Sequence, residues 1–413
     1  MKVAISAGGR FHAFRLAYEL YRRNSLSCFY TFSYGKQDSI LFPKSVVKSI
    51  GLCKFLNFVS TRLRLSRVIN SSVLNVIQDN LFDYSVSKKI KKLGEIDIFV
   101  GWAHYALKSM PAIRKTGAKV IIESGSCHIL EQQKMLQEEY AKWGLKYQPI
   151  HKSNCAKMVA EYQAADYIMT LSEFSRQSFI RQGLSPDKIL KVPCGMDVEY
   201  FSIGRQKPAP WGAGLSSGQV GQDVLRGQAK FRVVFVGMLN VRKGVQYLLE
   251  AWNKLNLPEN STELLFVGNL QKDIKDILRT IKIKNNVVFA GATNRRDLRT
   301  ILHDSSVFVL PSIEDGFGMV VGEAMASGLP VICSDHAGAT DMITEGQEGF
   351  VVPAASPDKL AEKILWCYEN YEQSCAMGAR GSETVQNFSW DVYGEHVYKT
   401  YEKILNKKIS KTI

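Results

Sequence analysis

Residues 311–330 read PSIEDGFGMVVGEAMASGLP and directly follow the apolar run Val307–Leu310. Four apolar residues are too few for a helix and suit a buried parallel strand. Gly316 and Gly318 then turn the chain, and the segment from Met319 onward reads as a helix that Gly328 and Pro330 stop. Strand, glycine turn and helix together form half of a βαβ crossover, the building block of parallel α/β sheets.

The same alternation extends on both sides. Towards the N-terminus of that stretch, apolar runs at Arg232–Val236, Glu263–Val267 and Val287–Ala290 predict strands; beyond it, Val331–Ser334 and Gly349–Val352 do the same. A second series, Val3–Ser6, Ile96–Val100, Val120–Ile122, Tyr167–Leu171 and Lys191–Pro193, predicts another sheet, with a helix carrying Phe14, Leu16, Ala17 and Leu20 after its first strand. Between the two series, residues 204–230 are rich in Gly, Ser, Gln and Pro and poor in large apolar residues, the composition of an exposed connection. The expected organisation is a domain at 1–203, a linker at 204–230, a second domain at 231–385 and a return helix at 386–413. That helix carries Tyr393, Val397, Tyr401 and Ile404 on one face and needs a body to pack on. The fold class is α/β: two doubly wound Rossmann-like domains facing across a cleft, with the C-terminal helix packing back on the body. In such sheets ligands bind beyond the carboxyl ends of the strands.

Composition narrows the function classes. The 413 residues are 46% hydrophobic, enough for two cores and too apolar for a disordered chain. Eight cysteines are scattered without a Cys-x-x-Cys pair and seven histidines lack metal-ligand spacing, which predicts free thiols in a reducing, cytoplasmic compartment and no metal. Met1–Ser6 enters a strand at once, predicting no signal peptide, and no apolar run reaches the length of a membrane span. The net charge of +14 favours phosphate-rich partners. Between Asp38 and Asp79 no acidic residue occurs, while Lys44, Lys48, Lys54, Arg62, Arg64 and Arg67 interleave with apolar residues. This basic segment of residues 39–78 suits a peripheral place on an anionic inner membrane surface, and equally a solvated basic face.

Four groups of residues carry chemistry. A helix N-terminus behind a glycine turn offers unpaired N–H groups and a positive dipole end, which suit a diphosphate; Phe317, Gly318, Met319 and Val320 lie there. Either Asp315 or Glu314 at the turn, and Glu323 about two turns into the helix, then accept hydrogen bonds from sugar and ribose hydroxyls. The loop 237–244 ends in Arg242, Lys243 and Gly244 after a strand, a place from which a lysine neutralises a leaving diphosphate. His128, on the loop that follows the strand ending at Ile122, is a candidate donor to a sugar hydroxyl, with His104 as its rival. The turn Gly8-Gly9-Arg10 lacks the Gly-x-Gly-x-x-Gly spacing of dinucleotide sites, and Arg10 is a candidate anion contact.

Residues 311–330 resemble the acid-x7-Glu motif of the family 4 retaining glycosyltransferases, which have the two-domain B-type fold. The resemblance is strong from about Tyr167 to Val352 and also covers Leu171-Ser172-Glu173 and Val192–Asp197. It implies retention of configuration without an obligatory metal or a resident cofactor, and a nucleotide-sugar donor as substrate. It assigns Glu323 to the donor ribose, Asp315 or Glu314 and His128 to the transferred sugar, Lys243 to the phosphates, and Gly9 to the donor. The family's Gly-Arg-x4-Lys-Gly clamp has Met238 in place of its arginine here, and Arg242 is the residue that supplies the missing charge. The acceptor implied is a saccharide or lipid-linked glycan, with no nucleic acid partner. A nucleotide-sugar epimerase on the same fold, a glycoside hydrolase with paired carboxylates, and a non-enzymatic polyanion- or membrane-binding protein are the competing readings.

Overall fold

The computed structural model describes residues 1–53, 55, 62, 71–91, 94–203 and 230–409. Residues 204–229 of the linker expected at 204–230, and much of the basic segment, including Lys54, Arg64 and Arg67, lie outside the described residues.

Two α/β units make up the chain. The first comprises Met1–Gln133, Gln148–Gly195 and Trp390–Ile413; the second comprises Lys134–Tyr147 and Met196–Ser389. The first unit holds β1 (Val3–Ser6), β2 (Leu26–Thr31), β3 (Val47–Ser49), β4 (Ile98–Trp102), β5 (Lys119–Ser124), β6 (Tyr167–Thr170) and β7 (Ile189–Lys191). They form one parallel sheet in the order β3-β2-β1-β4-β5-β6-β7. The order reverses between β1 and β4, so the loops leaving these two strands diverge and leave a crevice at the sheet's carboxyl edge.

The second unit repeats the plan with β8 (Phe231–Val236), β9 (Thr262–Val267), β10 (Val287–Gly291), β11 (Val307–Leu310), β12 (Val331–Ser334) and β13 (Gly349–Val352). All are parallel, in the order β10-β9-β8-β11-β12-β13, with the reversal between β8 and β11. The central strands are buried on both faces, which is why they read as unbroken apolar runs rather than alternating ones.

The chain changes unit at positions that composition does not mark. Met196–Ile203 belongs with the second unit, ahead of the 204–230 stretch expected to divide the domains. The reason is local packing: the Met196 thioether lies against Gly322, where any Cβ would collide with it, and Met196 N–H donates to Phe388 O at 2.9 Å. Lys134–Tyr147 joins the second unit through Glu139, which accepts from Gln246 Nε2 at 3.0 Å, and Tyr140, which donates to Asp273. The final helix, Trp390–Ile409, packs in the first unit against helix Ala13–Arg22, burying Tyr393, Val397, Tyr401 and Ile404 as the face pattern requires. Arg22 and Arg23 bind Glu19 on their own helix and Asp391 on its neighbour. No described helix is long and apolar enough to cross a membrane.

Among the second-unit glycines that leave no room for a side chain, Gly244 bears on the site. Gly244 has φ +69° and lies against the carbonyl of Pro311, in the space a side chain would need. Gly244→Ala is therefore expected to cost about 2 kcal/mol or more through the left-handed backbone and the displaced loop. For a unit of this size that lowers Tm by roughly 4–8 °C, measurable by differential scanning fluorimetry.

Candidate functional site

The loops that leave β8 and β11 meet at the strand-order reversal of the second sheet. Arg242 and Lys243 form a short 3-10 turn, with Asn240 capping it by accepting from Lys243 N at 3.0 Å, and Gly244 leads into helix Val245–Lys254. On the neighbouring loop Ile313 N–H donates to Arg242 O at 2.8 Å, so the two backbones are joined. Two parallel ion pairs follow from this register. Arg242 binds Glu314 through Nε and Nη2, both at 2.7 Å from Oε2, and Lys243 Nζ binds Asp315 Oδ2. The side chain of Glu314 is fully buried, and those of Lys243 and Asp315 are largely so.

The far side of the β11 loop is fixed to the loop after β12. Asp315 N donates to His336 O at 3.0 Å, Gly338 N donates to Asp315 O at 2.9 Å, and His336 Nδ1 lies 3.0 Å from Ile313 O. Burial pushes the Asp315 carboxyl up, but Lys243, Arg242 and the Phe317 N–H outweigh it and hold it below the usual aspartate range. A carboxylate with two cations beside it is ionised throughout the neutral range. Gly318, at φ +78°, turns the chain into helix Met319–Ala326. Phe317 is buried, while Met319 and Val320 are partly exposed at the helix amino end.

Glu323 sits further along that helix, near an ion pair that the sequence reading did not find, Arg295 with Asp197. Burial raises its carboxyl to about 7, Arg295 pulls it down and Asp197 pushes it up. Arg295 also lies over the ring of Tyr200 at 4.3 Å. Asp197 ends the Val192–Asp197 segment that carries part of the family resemblance, and its pairing with Arg295 appears only in three dimensions.

The first-unit residues fall differently. Gly9 lies on the loop after β1, where Arg10 is engaged by Asp38, with Nη1 to Oδ2 at 3.1 Å, so the expected anion contact is an internal ion pair. His128 is not presented at an open face as expected. It is 2% exposed, packed against Tyr162 and Phe179 at 5.0 and 5.1 Å, and its Nδ1 accepts from Leu130 N at 3.3 Å at the start of a helix. Burial pushes its imidazole down to about 4, against a smaller upward pull from Glu131, so the ring is neutral. These are the marks of a packing and capping histidine. The sequence places Glu123 on the same segment, and the structure bonds it to His12 Nε2 at 2.8 Å. Among the described residues no three His, Cys, Asp or Glu side chains converge to hold a metal.

Residues 222–384 match the family Glycosyl transferases group 1. An uncharacterized glycosyltransferase of Methanocaldococcus jannaschii is 28% identical over 177 residues, 41% of this chain and 44% of that protein. The putative glycosyltransferase EpsD of Bacillus subtilis is 26% identical over 326 residues, 75% of this chain and 77% of its own. The chain spans about half the length of the first curated relatives it matches. HepE of Anabaena, in a crystal structure with UDP, superposes with a TM-score of 0.66 at 16% identity, covering 98% of this chain and 100% of that one. That likeness gives the fold, the two-domain B-type glycosyltransferase architecture.

The raised carboxyl of Glu323 makes a stability prediction. Folding favours its protonated form, so the contribution is complete below pH 4.5 and is lost as pH rises to about 7. Glu323→Gln, which keeps the shape without the charge, is expected to leave Tm unchanged at pH 4 and to raise it at pH 8. The gain at pH 8 is at most about 3 kcal/mol, read from denaturant melts at both values.

Proposed function

We propose, from the match of residues 222–384 to the family Glycosyl transferases group 1, that the chain is a retaining glycosyltransferase moving a hexosyl group from a nucleotide-sugar to a saccharide or lipid-linked glycan. The observation that carries the proposal is the paired bracket of Arg242–Glu314 and Lys243–Asp315 beside the amino end of helix Met319–Ala326. Cations, helix N–H groups and carboxylates lie within one strand-order crevice. A diphosphate needs the first two and sugar hydroxyls need the third.

In this mechanism the bond between the anomeric carbon and the diphosphate breaks as the acceptor oxygen bonds that carbon on the same face. The acceptor's proton passes to the departing phosphate oxygen, so no protein nucleophile takes part. Lys243, with Arg242 and the helix dipole, stabilises the charge that develops on the leaving group, and Asp315 or Glu314 orients the sugar. Glu323 takes the ribose hydroxyls; a neutral or charged carboxyl accepts there, and a raised one also donates. These groups supply the positive charge from the protein itself, so the reading includes no metal and no resident cofactor. The basic segment of residues 39–78 supports an anionic inner membrane surface as the meeting place with a lipid-linked acceptor.

UDP, found in the HepE complex, is the first nucleotide to test. A fluorimetric screen of UDP, GDP, ADP and their sugar conjugates is expected to show stabilisation by one base family that disappears in Glu323→Ala. With that donor, Lys243→Ala is expected to lower kcat by about 10²–10³. Transfer at the native rate under saturating and subsaturating donor alike overturns the role of Lys243. Stabilisation by no nucleotide overturns the glycosyltransferase reading.

A further inference from the structure

In the first unit a cavity of about 320 Å³ opens beside the loop that leaves β4, between helix Ser71–Ile90 and the start of helix Lys152–Ala164, lined in part by Asn75, Gln78, Asp79, His104, His151 and Asn154. His104 is on the loop that leaves β4 and has φ +64°, a backbone conformation that a non-glycine residue holds only under constraint. Glu161 provides the constraint: its carboxylate accepts from the backbone N–H groups of His104, Ala106 and Leu107, the last two at 2.8 and 2.9 Å. Asp83 fixes the next turn by accepting from Lys108 N and Ser109 N at 2.8 and 3.0 Å. Two buried acids therefore hold one imidazole in one place.

What the imidazole faces is equally built. Asp79 is buried and accepts from His104 Nδ1 at 3.0 Å, from Asn154 Nδ2 at 2.8 Å and from the Tyr105 hydroxyl. With Nδ1 given to Asp79, Nε2 is the atom left for a ligand, and the His104 side chain keeps 24% of its surface exposed. Asn154 is 3% exposed, lines the cavity, and its Oδ1 has no hydrogen-bond partner among the described residues. A buried amide oxygen left without a donor is costly unless a ligand supplies one. Among the described residues that line the cavity there is no lysine or arginine, the side chains best suited to phosphate.

We propose that this cavity binds a neutral saccharide, with His104 Nε2 and Asn154 Oδ1 each taking a hydroxyl and Asp79 positioning both side chains. A hydroxyl suits His104 in either protonation state, because it both donates and accepts. Amide, carboxylate and imidazole groups around one cavity match the vicinal hydroxyls of a sugar ring, whereas a phosphorylated sugar or a diphosphate finds no lysine or arginine among the described lining residues. Naming this saccharide as the acceptor rests on the glycosyltransferase reading; the class of ligand rests on the cavity alone.

The test uses the full chain and saturation-transfer-difference NMR with the methyl glycosides of glucose, galactose, mannose and N-acetylglucosamine, with inorganic phosphate as competitor. At least one glycoside is expected to bind, without displacement by phosphate. Binding is expected to be about tenfold weaker in His104→Gln and in Asn154→Ala, the loss of one hydrogen bond each. Both variants are first checked for a native melting transition; if one fails to fold, the other still decides. No binding of any of the four glycosides, equal binding in the variants, or displacement by phosphate overturns the cavity's assignment. Glycoside binding lost on His104→Gln in a chain that no nucleotide stabilises keeps the cavity and removes only its role as acceptor site.

Discussion

Everything in the second unit that bears on chemistry depends on the double ion pair joining the loops after β8 and β11. Each loop alone is a few residues of turn. Joined through Ile313 N–H to Arg242 O and through the two cation–carboxylate pairs, they form one rigid edge. Gly244 permits the close approach, because it presents no Cβ to Pro311. The same loops carry the residues proposed to meet a diphosphate, so in that reading the support of the site and its reactive surface are one set of side chains.

The two pairs are not equivalent. Glu314 has no exposed side-chain surface, and removing the partner of a buried charge costs on the order of 3–5 kcal/mol. Arg242 is therefore bound first to the fold, and its guanidinium is shared with any ligand rather than released to it. Lys243 and Asp315 keep 16% and 12% of their side-chain surface. An ammonium on a flexible stem can pivot from a carboxylate to a phosphate over a small distance, which a planar guanidinium bonded by Nε and Nη2 cannot do without losing both contacts. In the proposed mechanism this difference gives electrostatic response to Lys243 and rigidity to Arg242.

Much of this was legible in the sequence because the deciding features are local. The strand, glycine turn and helix of residues 307–326 are written in consecutive residues, and so is the adjacency of Glu314 with Asp315 and of Arg242 with Lys243. What was not legible is pairing at long range. β2 and β3 escaped the reading: Leu26–Thr31 holds two polar side chains within a short apolar run, and Val47–Ser49 is three residues of edge strand. His128 and His104 each follow a strand of the same sheet, and spacing does not separate them. The aromatic shell of Tyr162 and Phe179 closes over one, while Glu161 holds the other in place from a helix more than fifty residues away. The unit boundary escaped for the same reason, since a thioether against Gly322 leaves no trace in composition.

The two sheets share a plan and divide its chemistry by charge. Each reverses its strand order once; the second gathers its polar side chains on the joined loops after β8 and β11, and the first has its cavity beside the loop after β4. In the second unit those loops carry a cation beside each acid. In the first, the one arginine on the loop after β1 is already bound by Asp38, and the cavity wall is made of amides, imidazoles and a carboxylate. Net charge does not predict this division, because +14 describes the whole chain. What a crevice recognises is set by the few groups whose partners are fixed in advance. A paired lysine can still answer a developing negative charge, whereas a buried amide oxygen without a donor answers only to a hydroxyl or an N–H. The two polar clusters thus differ in kind, one built of cation–carboxylate pairs and one of amides, imidazoles and a carboxylate.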